Sequence, residues 1–401
     1  MINPNRFVKT GYIPVAGEWY PVIEPVRPRV YHEYAKQDVI GTLYPDLVTE
    51  SATSTADIAA AIADAVDNVA EVKLTADLDV GLTSTGKFRT IMIPVDKTLI
   101  IDLNGHTYKN LAYLFYVYGT LIVKDSKGTG KLVATCTSAT SGNNSYPAIF
   151  ATGTAANVIF DKGATMEVLP DHEMEAEEND WTYGIYASEG ASATIKSNAK
   201  IVTYRSAALA SNGTTGDAYF VVTDSAKLEN KKGSFSIFMP NQVSVEVSGN
   251  ASLVGGITAR QGQIVVSGNS KITANPDVEL EDMLEWIKRG SGYTNSESPI
   301  TLVTGCYTSK NEEYGNSLNF TVKDNAVVSA AGEVPAIAII TKNIGANQTA
   351  VVDITGKTSY KVYDQATLES LCSEAGVTYN PTHTTDLTVK VDGAVVYPVG
   401  E

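Results

Sequence analysis

The densest group of ionisable side chains is Asp171, Glu173, Glu175, Glu177, Glu178 and Asp180, within PDHEMEAEENDW. Two carboxylates held roughly 5 to 9.5 Å apart can hydrolyse a glycoside, and a larger set can ligate Ca2+. Glycoside chemistry needs rigid positions, whereas a charge run between alternating segments is usually a solvated loop. Arg205 and Arg260, in TYRSAAL and GITARQG, are isolated cations of the kind a polysaccharide lyase uses as base, and equally the kind that forms surface ion pairs. His32, His106, His172 and His383 are scattered, and Cys136, Cys306 and Cys372 are odd in number and far apart, so neither type shows a metal-ligand or disulfide spacing. Nucleophile-elbow, zincin and phosphate-loop sequences are absent. Asn-x-Ser/Thr triplets at Asn143, Asn212, Asn250, Asn319 and Asn347 follow from the composition. The expectation is a protein that is not an enzyme, with no catalytic residues, no metal and no cofactor.

The elements that would carry any such group repeat along the chain. VSVEVSGNASLVG and QIVVSGNSKITAN share Val-Ser-Gly-Asn, which makes Gly249 and Gly268 equivalent. In each copy an alternating run meets Gly-Asn, then a small residue, then a second short run, which reads as strand, tight turn, strand. Looser copies are VIFDKGATMEV, ATIKSNAKIVT, FVVTDSAKLEN, FTVKDNAVVSA and VVDITGKTSYKV, with turn markers Gly163, Asn198, Ser225, Asn325 and Gly356. Their unequal spacing suits a coil closed by loops of variable length better than a propeller or a leucine-rich repeat. One unit cannot bury its apolar face alone; stacked copies can. The fold expected is all-β, a parallel β-helix solenoid, with an antiparallel sandwich of hairpins as the alternative.

A solenoid grows along one axis without splitting its core, so 401 residues need not mean several globular domains. Few charged residues (19 %) and abundant Gly, Ser, Thr, Asn and Val suit stacked short strands. A net charge of −15, without a basic stripe, argues against partners that are nucleic acid or anionic membrane. MINPNRFVKTGY lacks the apolar core of a signal peptide, and no long apolar run occurs, so a cytoplasmic product is expected.

Four parts are expected. Residues 1–50 hold six of the fifteen prolines together with Tyr12, Trp19, Tyr20 and Tyr31, a composition for an extended arm that lies on another surface. Arg27 and Arg29 make that arm mildly basic on an acidic protein, so these six residues are the expected partner-binding set. Residues 51–70 read as a capping helix, with Ser54 as N-cap and Ile58, Ile62, Val66 and Val69 on one face. Residues 71–363 form the β-helix body, interrupted by the acidic loop and by an amphipathic helical insertion over residues 276–290. Residues 364–401 add a helix stopped at Gly376 and a hairpin turning at Asp392-Gly393, which close the far end.

IDLNGHT (residues 101–107) and GTLIVKDSKGTGK (residues 119–131) resemble the right-handed parallel β-helices of the pectate-lyase-like superfamily, found in bacterial surface proteins and in bacteriophage fibres and tailspikes. The resemblance covers roughly residues 70 to 363 and consists of turn chemistry, so it implies a fold and not an active site. The whole arrangement resembles phage head fibres, including those of crAss-like phages. It implies a virion structural protein, a head or tail fibre or a capsid decoration, bound to other virion proteins through the arm. Such fibres are commonly homotrimers. The alternatives are a module that binds host-surface glycan and a polysaccharide-degrading tailspike or lyase, both of which need a lateral groove.

Overall fold

A computed structural model describes residues 7–15, 18–25, 48–81, 90–111, 113–136, 147–170, 183–211, 218–239, 243–276, 298–305 and 317–398. From Thr49 onward the chain winds into three sheets of 13, 9 and 10 strands, parallel throughout except for the last strand of the first sheet. From Val69 to Thr341 each coil contributes one strand to each sheet in turn, and the last coil passes from Gln348–Ile354 in the first sheet to Tyr360–Tyr363 in the third. Asn157–Phe160, Thr165–Pro170 and Ile185–Ser188 make one coil, and Ala191–Ile195 then lies in register on Asn157–Phe160. This is a parallel β-helix.

The alternation seen in the sequence becomes a ladder of stacked side chains. Inside the first sheet Leu99, Leu121, Val158, Ala193, Phe220, Val245, Ile264, Phe320 and Val352 form one column, each on its predecessor. All belong to the central core. Ala193 gives up the volume that Phe220 fills, so the column stays close-packed while individual sizes vary.

The repeat motif marks the corner between the first and second sheets. The residue before six of the markers sits in the left-handed region: Lys162, Ser197, Asp224, Gly249, Gly268 and Asp324; in the last copy the marker Gly356 itself takes that seat, and φ at the seven positions runs from 47° to 86°. Asn269 N–H donates to the Gly249 carbonyl at 2.7 Å and Asn325 N–H to the Gly268 carbonyl at 2.9 Å, so successive turns stay stacked across very different sequence spacings. The marker side chains add a second ladder, Asn325 Nδ2 donating to Asn269 Oδ1 (3.2 Å) and Asn269 Nδ2 to Asn250 Oδ1 (3.3 Å). The small residue that follows, Ala164, Ala199, Ala226 or Ala251, is fully buried, which is why the motif excludes larger side chains there.

Helix α1 (Thr55–Ala63) covers the first coil. Ser54 Oγ accepts from Asp57 N–H, and Asp57 in turn accepts from Thr53 N–H at 2.7 Å, a reciprocal cap. Ile58, Ala61 and Ile62 join the solenoid core. The helix is shorter than its sequence pattern implies: Asp67 and Asn68 take positive φ and turn the chain into the strand starting at Val69, leaving Val66 66 % exposed. At the other end α2 (Gln365–Glu374) is capped by Asp364 and lays Leu368 and Cys372 against Val303 and Ile340, a cluster separate from the central core. The closing hairpin, Thr385–Val391 and Ala394–Tyr397, continues the first sheet by pairing with Gln348–Ile354. Its turn falls at Asp392-Gly393, both at positive φ.

Candidate functional site

Tyr12, Trp19 and Tyr20 lie in a two-stranded antiparallel sheet of their own, Phe7–Val15 against Glu18–Pro25, with no strand shared with the solenoid. The register pairs Tyr12 with Pro21, Ile13 with Tyr20 and Pro14 with Trp19, so the backbone brings the three aromatic positions onto adjacent rungs. Proline is unsuited to a central strand, but both strands of a hairpin are edges, and Pro14, Pro21 and Pro25 are tolerated there. The arm's N-terminal part is thus extended but paired with itself. Arg27, Arg29 and Tyr31 fall outside the described residues, as do the acidic loop from Asp171 to Asp180 and most of the insertion over residues 276–290.

On the body, the two arginines do not share a site. Arg205 follows Lys200–Thr203 at the corner between second and third sheets, and its carbonyl accepts from Asn230 Nδ2 at 2.9 Å. Arg260 follows Gly256–Ala259 at the opposite end of a third-sheet strand, two coils further on, with its guanidinium 5.9 Å from the Phe238 ring centroid. Several strand-borne charges are engaged between coils. Lys131 meets Glu167 at 2.7 Å, Lys200 meets Glu229 at 2.7 Å, and Lys124 pairs with Glu71. Burial pushes the Glu229 carboxyl up, but hydrogen bonds from Lys200 and Lys231 outweigh it and hold the group below the usual carboxylate range. Such a carboxylate stays ionised at neutral pH and is a poor general acid. Among the described residues no group of three His, Cys, Asp or Glu could hold a metal ion, and no helix is long and apolar enough to cross a membrane.

One surface feature is not anticipated by the sequence reading. On the third sheet Tyr116, Phe150 and Tyr186 occupy one register column, with ring centroids 5.2 and 5.5 Å apart and the second pair nearly parallel at 9°. Tyr113 stacks on Tyr116 at 5.0 Å. The signal was present: LFYVYG, AIFATG and GIYASEG each place an aromatic residue shortly before a glycine. A sugar stacks on an open ring face, whereas Phe150 has a neighbouring ring on each side. The column therefore ties coils together, contributing about 0.5–1.5 kcal/mol per pair beyond area burial.

Fold and surface together define a capped parallel β-helix with ion-paired flanks and a separate N-terminal hairpin. Comparisons with protein-family models, curated proteins and solved structures give no match for this chain.

Proposed function

We propose that this protein is a bacteriophage virion structural component, a head fibre or capsid decoration, attached through its N-terminal arm and projecting the β-helix outward. The observation that carries the reading is the hairpin holding Tyr12, Trp19 and Tyr20, which forms its own sheet outside the solenoid. Aromatic side chains give large contact area for few rotatable bonds, and a pre-paired hairpin loses little further entropy on docking. Arg27 and Arg29 would complement acidic groups on other virion proteins. The acidic body, with several of its strand charges paired between coils, suits an inert spacer. Assembly as a homotrimer is part of the proposal. On the third sheet Phe150, with a ring on each side, offers no open face to a host-surface glycan.

Deletion of residues 1–45 tests this. The body keeps its own cap at α1, so the truncated chain is expected to remain a folded, soluble oligomer and to be missing from purified particles. Full incorporation without the arm refutes the assignment.

A further inference from the structure

No basic stripe is visible along the sequence, but the stacking of coils assembles one. In the second sheet Lys131, Thr165, Lys200, Lys227, Ser252 and Lys271 form one register column, each on its predecessor. The residue after each of them, from Leu132 to Ile272, belongs to the central core, so alternation turns the lysines and hydroxyls outward. Lys227 and Lys271 are exposed, as are Lys231 and Lys232 in the turn that follows Lys227–Asn230.

The carboxylates on these six strands are Glu167 and Glu229 alone. Glu167 pairs with Lys131, and Glu229 with both Lys200 and Lys231. Lys227, Lys232 and Lys271 have no ion pair among the described residues. A local excess of positive charge therefore stands on a chain whose net charge is −15. Lys200 and Lys227 are direct register neighbours, roughly 4.8 Å apart along the backbone, and like charges so placed destabilise a sheet. The fold does not call for them, since Thr165 and Ser252 occupy the same position with a hydroxyl. An anion lying along the column would relieve the repulsion.

Three features select the partner. The column is straight and spans five strand spacings, roughly 24 Å, which suits an extended chain better than a compact anion. Its six strands contain no aromatic residue, so they offer a sugar no ring to stack on. Its cations are lysines, point charges without the fork that grips phosphate, and the charge of the whole chain opposes nucleic acid. In an extended peptide every second side chain faces the same way, roughly 6.6 Å apart, so about four carboxylates would span the column.

We propose that this face docks an extended, acidic peptide segment of a partner protein, its carboxylates lying along Lys131, Lys200, Lys227 and Lys271 with Lys231 and Lys232 at the flank. One side of an otherwise inert spacer is then a contact surface. The inference rests on the second sheet and does not depend on the virion reading.

The test titrates the full-length chain against a fluorescent glutamate peptide of about eight residues, long enough to span the column, and reads anisotropy. Binding is expected at about 10 mM salt and should fall by about tenfold or more at about 1 M, where screening acts within a few ångströms. Lys227→Glu with Lys271→Glu is expected to weaken low-salt binding about tenfold or more, whereas the same charge change on other faces, Lys97→Glu with Lys361→Glu, stays within about twofold. Lys227→Gln with Lys271→Gln should weaken it in the same direction without adding negative charge, which keeps the test open if the reversal disturbs folding. Absence of binding at low salt, or equal losses in the two glutamate pairs, overturns the proposal. So does tighter binding of polygalacturonate of equal charge, which would make a glycan the occupant.

Discussion

Replacing Gly268 by Ala, beside the same change at Gly356, isolates the contact that keeps successive coils in phase. Both glycines occupy the same seat of the repeat, at φ +67° and +86°. Left-handed backbone costs an alanine about 1–2 kcal/mol, and this strain is common to both variants. Their surroundings differ. A Cβ on Gly268 would lie 2.8 Å from the Gly249 nitrogen and 2.9 Å from its carbonyl oxygen, whereas a Cβ on Gly356 meets nothing within 4 Å. The obstructing atoms are main chain and the oxygen is itself hydrogen-bonded in the ladder, so relief requires the turns to separate. Overpacking of this kind costs about 1–3 kcal/mol. Gly268→Ala is therefore expected to destabilise by roughly 2–5 kcal/mol and Gly356→Ala by about 1–2 kcal/mol. Gly268→Asn should recover part of the backbone strain but keep the clash, and so fall between them. Urea unfolding followed by far-UV circular dichroism gives the comparison. Equal shifts for Gly268→Ala and Gly356→Ala would refute the claim that turn-on-turn contact sets the stacking.

A double-mutant cycle on Phe150→Ala and Tyr186→Ala should give a coupling of about 0.5–1.5 kcal/mol in the same assay; additive losses would mean the stacked rings do not hold adjacent coils. Hydrogen bonds from the Thr367 hydroxyl and then the Thr367 N–H hold the Asp364 carboxyl below its ordinary value of 3.8 despite some burial. A depressed folded-state value means the stabilisation is present above the carboxylate range and is lost as pH falls through it. Asp364→Ala should thus lower stability by about 1 kcal/mol at neutral pH and by progressively less on acidification, read as the gap between thermal midpoints. A screen for reducing sugars and unsaturated products on host capsule and standard glycans is expected to show no turnover. Cleavage that disappears on changing Glu173, Glu175, Arg205 or Arg260 would favour the tailspike alternative.

Much of the fold is legible because two of each coil's three sides announce themselves. The run, the left-handed turn and the second run are contiguous in sequence, and Gly-Asn marks the corner between them. The third strand is hidden: Leu209–Ala210 spans two residues, and its neighbours follow connections of unequal length. α1 was visible from Ser54 and its apolar face, but its end was not, since the turn at Asp67 and Asn68 depends on where Val69 must join the sheet. The aromatic column is not legible in the sequence because its members are far apart along the chain and meet only through register. Ile100 is hidden for the opposite reason. It reads as one more core residue in TLIID, and only the register shows that it faces away.

The corners of the coil are not equivalent. Between the first and second sheets the repeated turns are short and stacked backbone on backbone. Between the second and third sheets the connection shrinks to Gly255 in one coil and runs from Thr273 to Ile300 in the next, with the strands on either side still in register. One edge of the solenoid therefore acts as a clock that keeps pitch, and another as an open margin where length is free. Foreign peptides written into that margin should be displayed at a repeat of one coil, while even a single residue added at Gly249 or Gly268 would put every later coil out of step.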